Sequence, residues 1–269
     1  MYKLIALDMD GTLLNSDKTI SERNKNAIKE ARKKGVYVVL ASGRPIDGLL
    51  NFLEDLDLIS DDDYVLSYNG CLVQKSKSRD VISSVSIKGS DLDYLYKLSK
   101  EVGVNIHAFS KDRGLITPKN SKYTQYEADQ NFITVKEVSH DNLDLNEEII
   151  KIMMIDEPDI LDNGIKKLPK ELEEKYSIAK SAPFFLEFFN KEANKGLGLE
   201  LLAKHLGIRK EEIITMGDAM NDYPMISYAG LGIAMGNACD EIKEIANYVT
   251  DSNDNDGVAK AIEKFVLND

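Results

Sequence analysis

Tyr2-Lys3-Leu4-Ile5-Ala6-Leu7-Asp8-Met9-Asp10-Gly11-Thr12 is the stretch on which the fold turns. Residues 2–7 are nearly continuously apolar, the pattern of a parallel strand buried on both faces. Two acids then stand two residues apart at its carboxyl end, and Gly11 lets the chain turn away sharply. Outward from this stretch, Ser21 is an N-cap for a helix that buries Ala27, Ile28 and Ala31 and stops at Gly35. Val36 to Leu40 predicts a second strand, Pro45 to Leu53 a second helix, and Tyr64 to Leu66 a third strand. Strand and helix in alternation predict an α/β fold with a doubly wound, mostly parallel, Rossmann-like sheet.

From about residue 84 the rhythm changes. A helix over Ser90 to Val102 precedes strand-like segments at Val104–Phe109, Gly114–Thr117, Phe132–Val138 and Ile149–Ile155. A helix near Pro158 and strands at Ser177–Ser181 and Phe184–Phe189 complete an α+β pattern with a mostly antiparallel sheet. The first rhythm then resumes: helix Gly196–Leu206, strand Ile213–Met216, a short helix at Pro224–Tyr228, strand Leu231–Ala234 and a last helix at Val258–Val266. The reading is a discontinuous core, residues 1–84 and 190–269, interrupted by an inserted cap, residues 85–189, of ordinary domain size.

Four clusters fall where this reading puts the carboxyl ends of core strands, the edge at which open α/β sheets bind ligands. In Asp8-Met9-Asp10-Gly11-Thr12, the paired carboxylates can hold a hard cation while one faces an electrophile, and Thr12 offers a hydroxyl and an amide to an anion. Ala41-Ser42-Gly43-Arg44 places a hydroxyl and amides at a helix start, a phosphate-oxygen site, though Ser-Gly-Arg alone is a common loop. Asn194-Lys195-Gly196 offers a charge to a phosphoryl group, although most lysines are solvated surface residues. Gly217-Asp218, with Asn221 and Asp222 one turn on, reads as the far wall of a cation site, where a lone Asp would be a helix cap.

Composition excludes several classes. The 269 residues carry a formal net charge of −12 and are 43% apolar and 30% charged, which is globular rather than disordered. A sequence pI of about 4.9 argues against nucleic acid as a partner. The longest apolar runs are far short of the ~20 residues of a membrane span. Asp8 interrupts any leader-like stretch, and Cys71 and Cys239 stand apart without a partner motif, so a reducing cytoplasm is the expected location. Nothing in the pattern assigns an oligomeric state.

Together and in this order, the four clusters resemble the signature of the haloacid dehalogenase superfamily, and are similar to its Cof-type (YidA-like) sugar-phosphate phosphatases, which carry an α/β cap between the second and third clusters. Lys151 to Pro158, Lys180 to Pro183 and Ser67 to Gly70 are also similar to that branch, so the likeness spans essentially the whole chain. The resemblance implies a Mg2+-dependent phosphatase of small phosphorylated metabolites, foremost sugar phosphates, in which Asp8 forms an aspartyl-phosphate and Asp10 is general acid and base. It implies Mg2+ ligation by the Asp8 side chain, the Asp10 carbonyl and the Asp218 carboxylate. Ser42, amides near Gly11, Thr12 and Gly43, and Lys195 would bind phosphate oxygens. Asn221 would also contact phosphate, and Asp222 would orient Lys195 or a metal-bound water. Arg44, Asn69 and Gly70 are candidates on the core side for contacting the substrate. The rivals are a phosphomutase using the same intermediate and a non-catalytic phospho-aspartate switch or metabolite sensor; Asp10 and the large cap tell against the switch.

Other features read as structure. His107, His140 and His205 join no motif. In the acidic run Asp251 to Gly257 the glycine comes one place late for a calcium-binding EF-hand loop and Ile262 stands where its glutamate should be, so a solvated loop capping the last helix is expected. Phe184, Phe185, Phe188 and Phe189 read as cap core and linker packing. Glu187 among them is a candidate for the active site, with the packing role weighed above it.

Overall fold

The computed structural model describes residues 1–268, which form two compact units: Met1–Ser83 together with the chain from Asn194 onward, and Ser84–Ala193. The strands in chain order are β1 Leu4–Asp8, β2 Tyr37–Ala41, β3 Tyr64–Ser67, β4 Leu72–Lys75 and β5 Val81–Ser84. The inserted unit holds β6 Ile87–Lys88, β7 Asn105–Ser110, β8 Gly114–Thr117, β9 Lys136–Glu137, β10 Glu148–Ile155, β11 Tyr176–Ala182 and β12 Phe185–Asn190. The first unit resumes with β13 Ile213–Gly217, β14 Leu231–Ala234 and β15 Tyr248–Val249.

The first unit is built on one sheet in the order β15-β14-β13-β1-β2-β3-β4-β5. It is parallel from β15 to β3 and turns antiparallel at β4. The α/β, doubly wound class expected from the sequence is therefore the class observed. β1 lies in the middle and is buried along its whole length, as its unbroken apolar run requires. Helix Glu22–Lys33 makes the first crossover; Ser21 accepts from the Asn24 amide, and Arg32 and Lys33 sit in the last turn, where the helix dipole favours cations. Register sets the site: Asp8 lies beside Ala41, Ala41 beside Leu66, and Leu7 beside Met216. The loops leaving β1, β2, β3 and β13 thus open at one edge of the sheet.

In the inserted unit the sheet order is β11-β12-β10-β7-β8-β9, with β6 on β10, and only β8–β9 is parallel among the described pairs. Ile149, Ile152, Met154, Ile106 and Phe188 pack against Leu92, Leu95 and Leu98 of helix Gly89–Val102, a core separate from that of the first unit. On the strands' other residues lie Lys151 opposite Phe109, and Met153 between His107 and Glu187.

Several elements differ from expectation. The strand expected over Phe132–Val138 contracts to β9, and Phe132 is 76% exposed. Before it stands an unforeseen helix, Lys122–Gln130, capped by Ser121 on the Thr124 amide; its polar composition masks the period. The hairpin β4–β5, helix Asp240–Ile245 and β15 are short elements without a strong periodic signal. The helix expected at Pro45–Leu53 is a tight 3₁₀ turn, Ile46–Leu49, followed by helix Leu50–Asp55. The last helix starts at Gly257 and widens into a π turn over Glu263–Leu267.

Candidate active site

Asp8 closes β1 and is only 7% exposed. Its Oδ1 accepts from Lys195 Nζ, and the same ammonium donates to Asp222 Oδ1 at 2.6 Å. Lys195 and Asp222 are both fully buried. Lys195 reaches this position as the first residue of helix Lys195–Leu206, whose N-cap Asn194 accepts from the Leu197 amide. The approach of that helix depends on Gly70: its φ is +86°, and a Cβ there would stand 2.4 Å from the Asn194 carbonyl oxygen.

Asp222 accepts three hydrogen bonds. Its Oδ2 accepts from the amides of Asp218 and Ala219 at 2.9 and 3.1 Å, while Oδ1 holds Lys195. It therefore folds the loop after β13 and fixes the lysine. Asp218 is oriented by Thr12 Oγ1, which donates to its Oδ1 at 2.9 Å. The Thr12 hydroxyl is thus engaged on the acid rather than offered to an anion, and its amide bonds the Met9 carbonyl at 3.3 Å. Gly11, with φ +84°, passes so close to Asp218 that a Cβ would meet Oδ2 at 2.4 Å. Carboxylate oxygens of Asp8, Asp218 and Asp222 lie within 4.8 Å of one another. Three hard anionic oxygens this close suit a divalent cation. With Asp222 committed to Lys195 and two amides, Asp8 and Asp218 are the side chains with capacity to bind one.

The electrostatics follow from this crowding. Burial raises the Asp8 carboxyl to about 7; Lys195 opposes the shift, and the Asp222 and Asp218 charges add to it. Burial likewise raises Asp218. Lys195 is held above the ordinary lysine range: its burial works against the charge, but Asp8 and Asp222 outweigh that.

Asp10 lies at the rim, its side chain 45% exposed. Lys18 Nζ donates to its Oδ1 at 2.7 Å and Arg44 Nη2 to its Oδ2 at 2.8 Å. Partial burial works against the charge, yet the Lys18 and Arg44 bonds hold this carboxyl below its usual range. Two carboxylates two residues apart thus titrate in opposite directions, the environment separating a buried group from a rim group.

The second cluster forms the neighbouring wall. Ser42 is buried, its amide bonded to the Leu66 carbonyl and its carbonyl to the Asn69 amide. Its Oγ accepts from the Arg44 amide at 3.2 Å. Asn69, in the left-handed region with φ 55°, accepts from Asn221 Nδ2 at 3.3 Å, and Gly43 lies against the same Asn69 side chain. The fold therefore brings Asp8, Asp10, Gly11, Thr12, Ser42, Gly43, Arg44, Asn69, Gly70, Lys195, Asp218, Asn221 and Asp222 to one edge of one sheet. Glu187 belongs to the inserted unit, where it accepts from Lys151 at 3.0 Å and Ser181 at 2.9 Å. Two residues absent from the sequence reading join the edge: Lys18, on Asp10, and Asn237, whose Nδ2 donates to the Gly11 carbonyl at 2.8 Å. Asn237 follows a core strand after Gly236, a position that the parallel topology alone marks; Lys18 carries no signal in its residue type.

Known proteins resemble this chain in sequence and fold. Residues 5–262 match the haloacid dehalogenase-like hydrolases. YxeH of Bacillus subtilis (strain 168) is 43% identical over 274 residues, covering 99% of both chains. The 5-amino-6-(5-phospho-D-ribitylamino)uracil phosphatase YcsE of the same organism is 36% identical over 265 residues, covering 98% of this chain and 96% of its own. The solved structure of the HAD subclass IIB sugar phosphatase BT4131 superposes with a TM-score of 0.76 at 26% identity, covering 98% of each chain. Among the described residues no helix is long and apolar enough to cross a membrane. The chain belongs to the haloacid dehalogenase-like hydrolases, in their Cof-type branch, and is a phosphatase by family.

Proposed function

We propose that the protein is a Mg2+-dependent phosphatase of small phosphorylated metabolites, foremost sugar phosphates, working through an aspartyl-phosphate on Asp8. The observation that carries this reading is the buried Lys195 ammonium shared by Asp8 and Asp222 beside Asp218. A phosphoryl group facing Asp8 meets a fixed positive charge and a nucleophilic oxygen whose direction Lys195 sets. Phosphoryl transfer is mostly positioning and charge stabilisation, so a preorganised ammonium is worth more than a mobile one.

Asp8 and Asp218, with the Asp10 backbone carbonyl, are the groups proposed to hold Mg2+, which when bound neutralises charge on the transferring phosphoryl oxygens. Asp8 Oδ attacks phosphorus, the ester bond breaks, and the leaving alkoxide takes a proton from Asp10. Water then attacks the aspartyl-phosphate and gives its proton back to Asp10, releasing phosphate and restoring Asp8. In the structure Asp10 is held ionised by Lys18 and Arg44. An arriving phosphate dianion competes for both cations and repels the carboxylate, which favours uptake of the proton that Asp10 must later donate. Ser42 and Asn221 are proposed to contact the remaining oxygens, and Arg44, Asn69 and Gly70 to meet the rest of the substrate. The sugar-phosphate preference leans on the likeness to the sugar phosphatase; YcsE, which acts on a phosphorylated ribityl compound, favours a phosphorylated polyol chain more broadly.

The test is release of inorganic phosphate across a panel of phosphorylated sugars, polyols, nucleotides and cofactors with added Mg2+. Asp8→Asn should abolish release while the far-ultraviolet spectrum and melting temperature persist. Turnover within tenfold of the parent would remove Asp8 from its role. Phosphate returned to another position of the sugar, without release, would mark a mutase instead.

A further inference from the structure

The acidic run Asp251 to Gly257 takes no part in the chemistry described above, and its bonds rule out the simplest cation site. Each carboxylate has its own donor: Asp251 takes Lys260 at 2.7 Å, Asp254 takes Ser16, and Asp256 takes Ser21 Oγ at 2.7 Å. Nor does a side chain of the run cap helix Gly257–Ile262, whose N-cap Asp256 stands in the left-handed region with φ 58°. What the run holds is the loop that leaves β1.

Two arms of hydrogen bonds converge on Asp10 from this segment. In the first, Asn253 Nδ2 donates to the Leu14 carbonyl at 2.9 Å, and the Asn253 amide donates to Asn237 Oδ1 at 2.9 Å. Asn237 in turn holds the Gly11 carbonyl at 2.8 Å, and the Leu14 amide bonds the Met9 carbonyl at 2.9 Å. The backbone on both sides of Asp10 is thereby tied to one asparagine pair. In the second arm, the Ser16 amide and hydroxyl donate to the two oxygens of Asp254, each at 2.7 Å. The adjoining turn closes on itself: the Lys18 amide bonds the Asn15 carbonyl, and Asn15 Oδ1 accepts from the Thr19 amide. Lys18 is held there with φ 60°, and its ammonium meets Asp10 Oδ1.

We propose that Asn237, Asn253 and Asp254 are positioning residues that place the Asp10 carboxyl for proton transfer to the leaving group. This rests on the reading of Asp10 as the proton donor given above. Asp10 makes only an isolated bridge, to Leu14, and the turn otherwise closes on local backbone bonds, so the Asn237, Asn253 and Asp254 bonds add the tie between this turn and the segment after β14. A displacement of about 1 Å at a proton donor costs on the order of 10²-fold in rate, and a turn loosened on one side should lose part of that.

The experiment uses the full chain with Mg2+ and compares the best sugar phosphate of the panel with 4-nitrophenyl phosphate, whose leaving group departs without a proton. Followed by rapid quench, because Asp10 also serves the common second step, Asp254→Ala should slow phosphoryl transfer from the sugar phosphate to Asp8 by about tenfold, with transfer from the aryl ester within twofold. Asp254→Asn, which keeps one acceptor for Ser16, should recover most of the loss, and Asn253→Ala should repeat the alanine pattern through the other arm. Equal slowing of this first step for both substrates, or none for either, would overturn the proposal, because a segment that only cemented the fold does not sense the leaving group. Asp254 is exposed and its replacement should leave the melting temperature within a few degrees; if it does not, Ser16→Ala, which removes the hydroxyl donor to Asp254, carries the same comparison. Asp10→Asn separates the two levels. If it slows transfer to Asp8 only from the sugar phosphate while Asp254→Ala slows transfer from neither, the frame fails and the mechanism stands. If it slows that first step alike for both substrates, the mechanism falls and the frame with it.

Discussion

Lys195 carries a positive charge into a place without solvent, and the two carboxylates on it decide what a substitution there does. Lys195→Met keeps the length and apolar stem but leaves Asp8 and Asp222 buried without their shared cation. Removing one partner of a buried pair costs about 3–5 kcal/mol, so the unfolding free energy from urea titration should fall by that amount and phosphate release should vanish. A loss under about 1 kcal/mol would mean that the ammonium is dispensable to the fold. Part of this residue-level picture was legible in the chain itself. Asp8, Asp10, Gly11 and Thr12 are consecutive, and their types announce chemistry. The pairing of Asp8 with Lys195 spans 187 residues, and only the parallel register delivers it. Thr12 shows the limit most plainly: its type suggested an anion contact, and its hydroxyl instead holds Asp218.

At the scale of elements, long periodic segments were readable and short polar ones were not. β1 and helix Glu22–Lys33 announce themselves by burial pattern and caps, whereas helix Lys122–Gln130 buries only Thr124, Glu127 and Ala128 and hides its face among polar residues. That helix nevertheless closes over a buried histidine on β7. His107 is fully buried, its Nδ1 3.3 Å from Thr124 Oγ1 and its Nε2 3.1 Å from Met153 Sδ. Burial, with the Lys151 charge adding, lowers its pKa from 6.5 to about 3. The unfolded chain therefore takes up a proton below 6.5 that the folded unit refuses. The stability held by this neutral ring is complete above pH 6.5 and is lost as the pH falls toward about 3. His107→Asn keeps a polar atom toward Thr124 and removes the titration. Melting temperatures followed from pH 7 to 4 should fall less steeply in the variant than in the parent; parallel slopes would show that His107 is not the group responsible.

For the whole molecule, a net charge of −12 opposes an anionic substrate, so the positive groups gathered at one sheet edge, Lys18, Arg44 and Lys195, must act locally. Every group proposed to bind Mg2+ or phosphate lies in the first unit, and each unit has its own hydrophobic core. Ligands that bind only a folded unit stabilise that unit, by about 2.7 kcal/mol at a concentration of 100 Kd. Two cores of this kind predict two calorimetric transitions rather than one. Mg2+ with inorganic phosphate should raise one of them and leave the other in place, and an excess of chelator should reverse the shift and abolish phosphate release. His107→Asn should move only the transition that the ligands leave alone. The crossed design gives each transition its own perturbation, so each serves as the control for the other. A single transition moved by both treatments would show that the two units unfold as one, and a ligand shift in the His107-sensitive transition would place part of the binding site on the inserted unit.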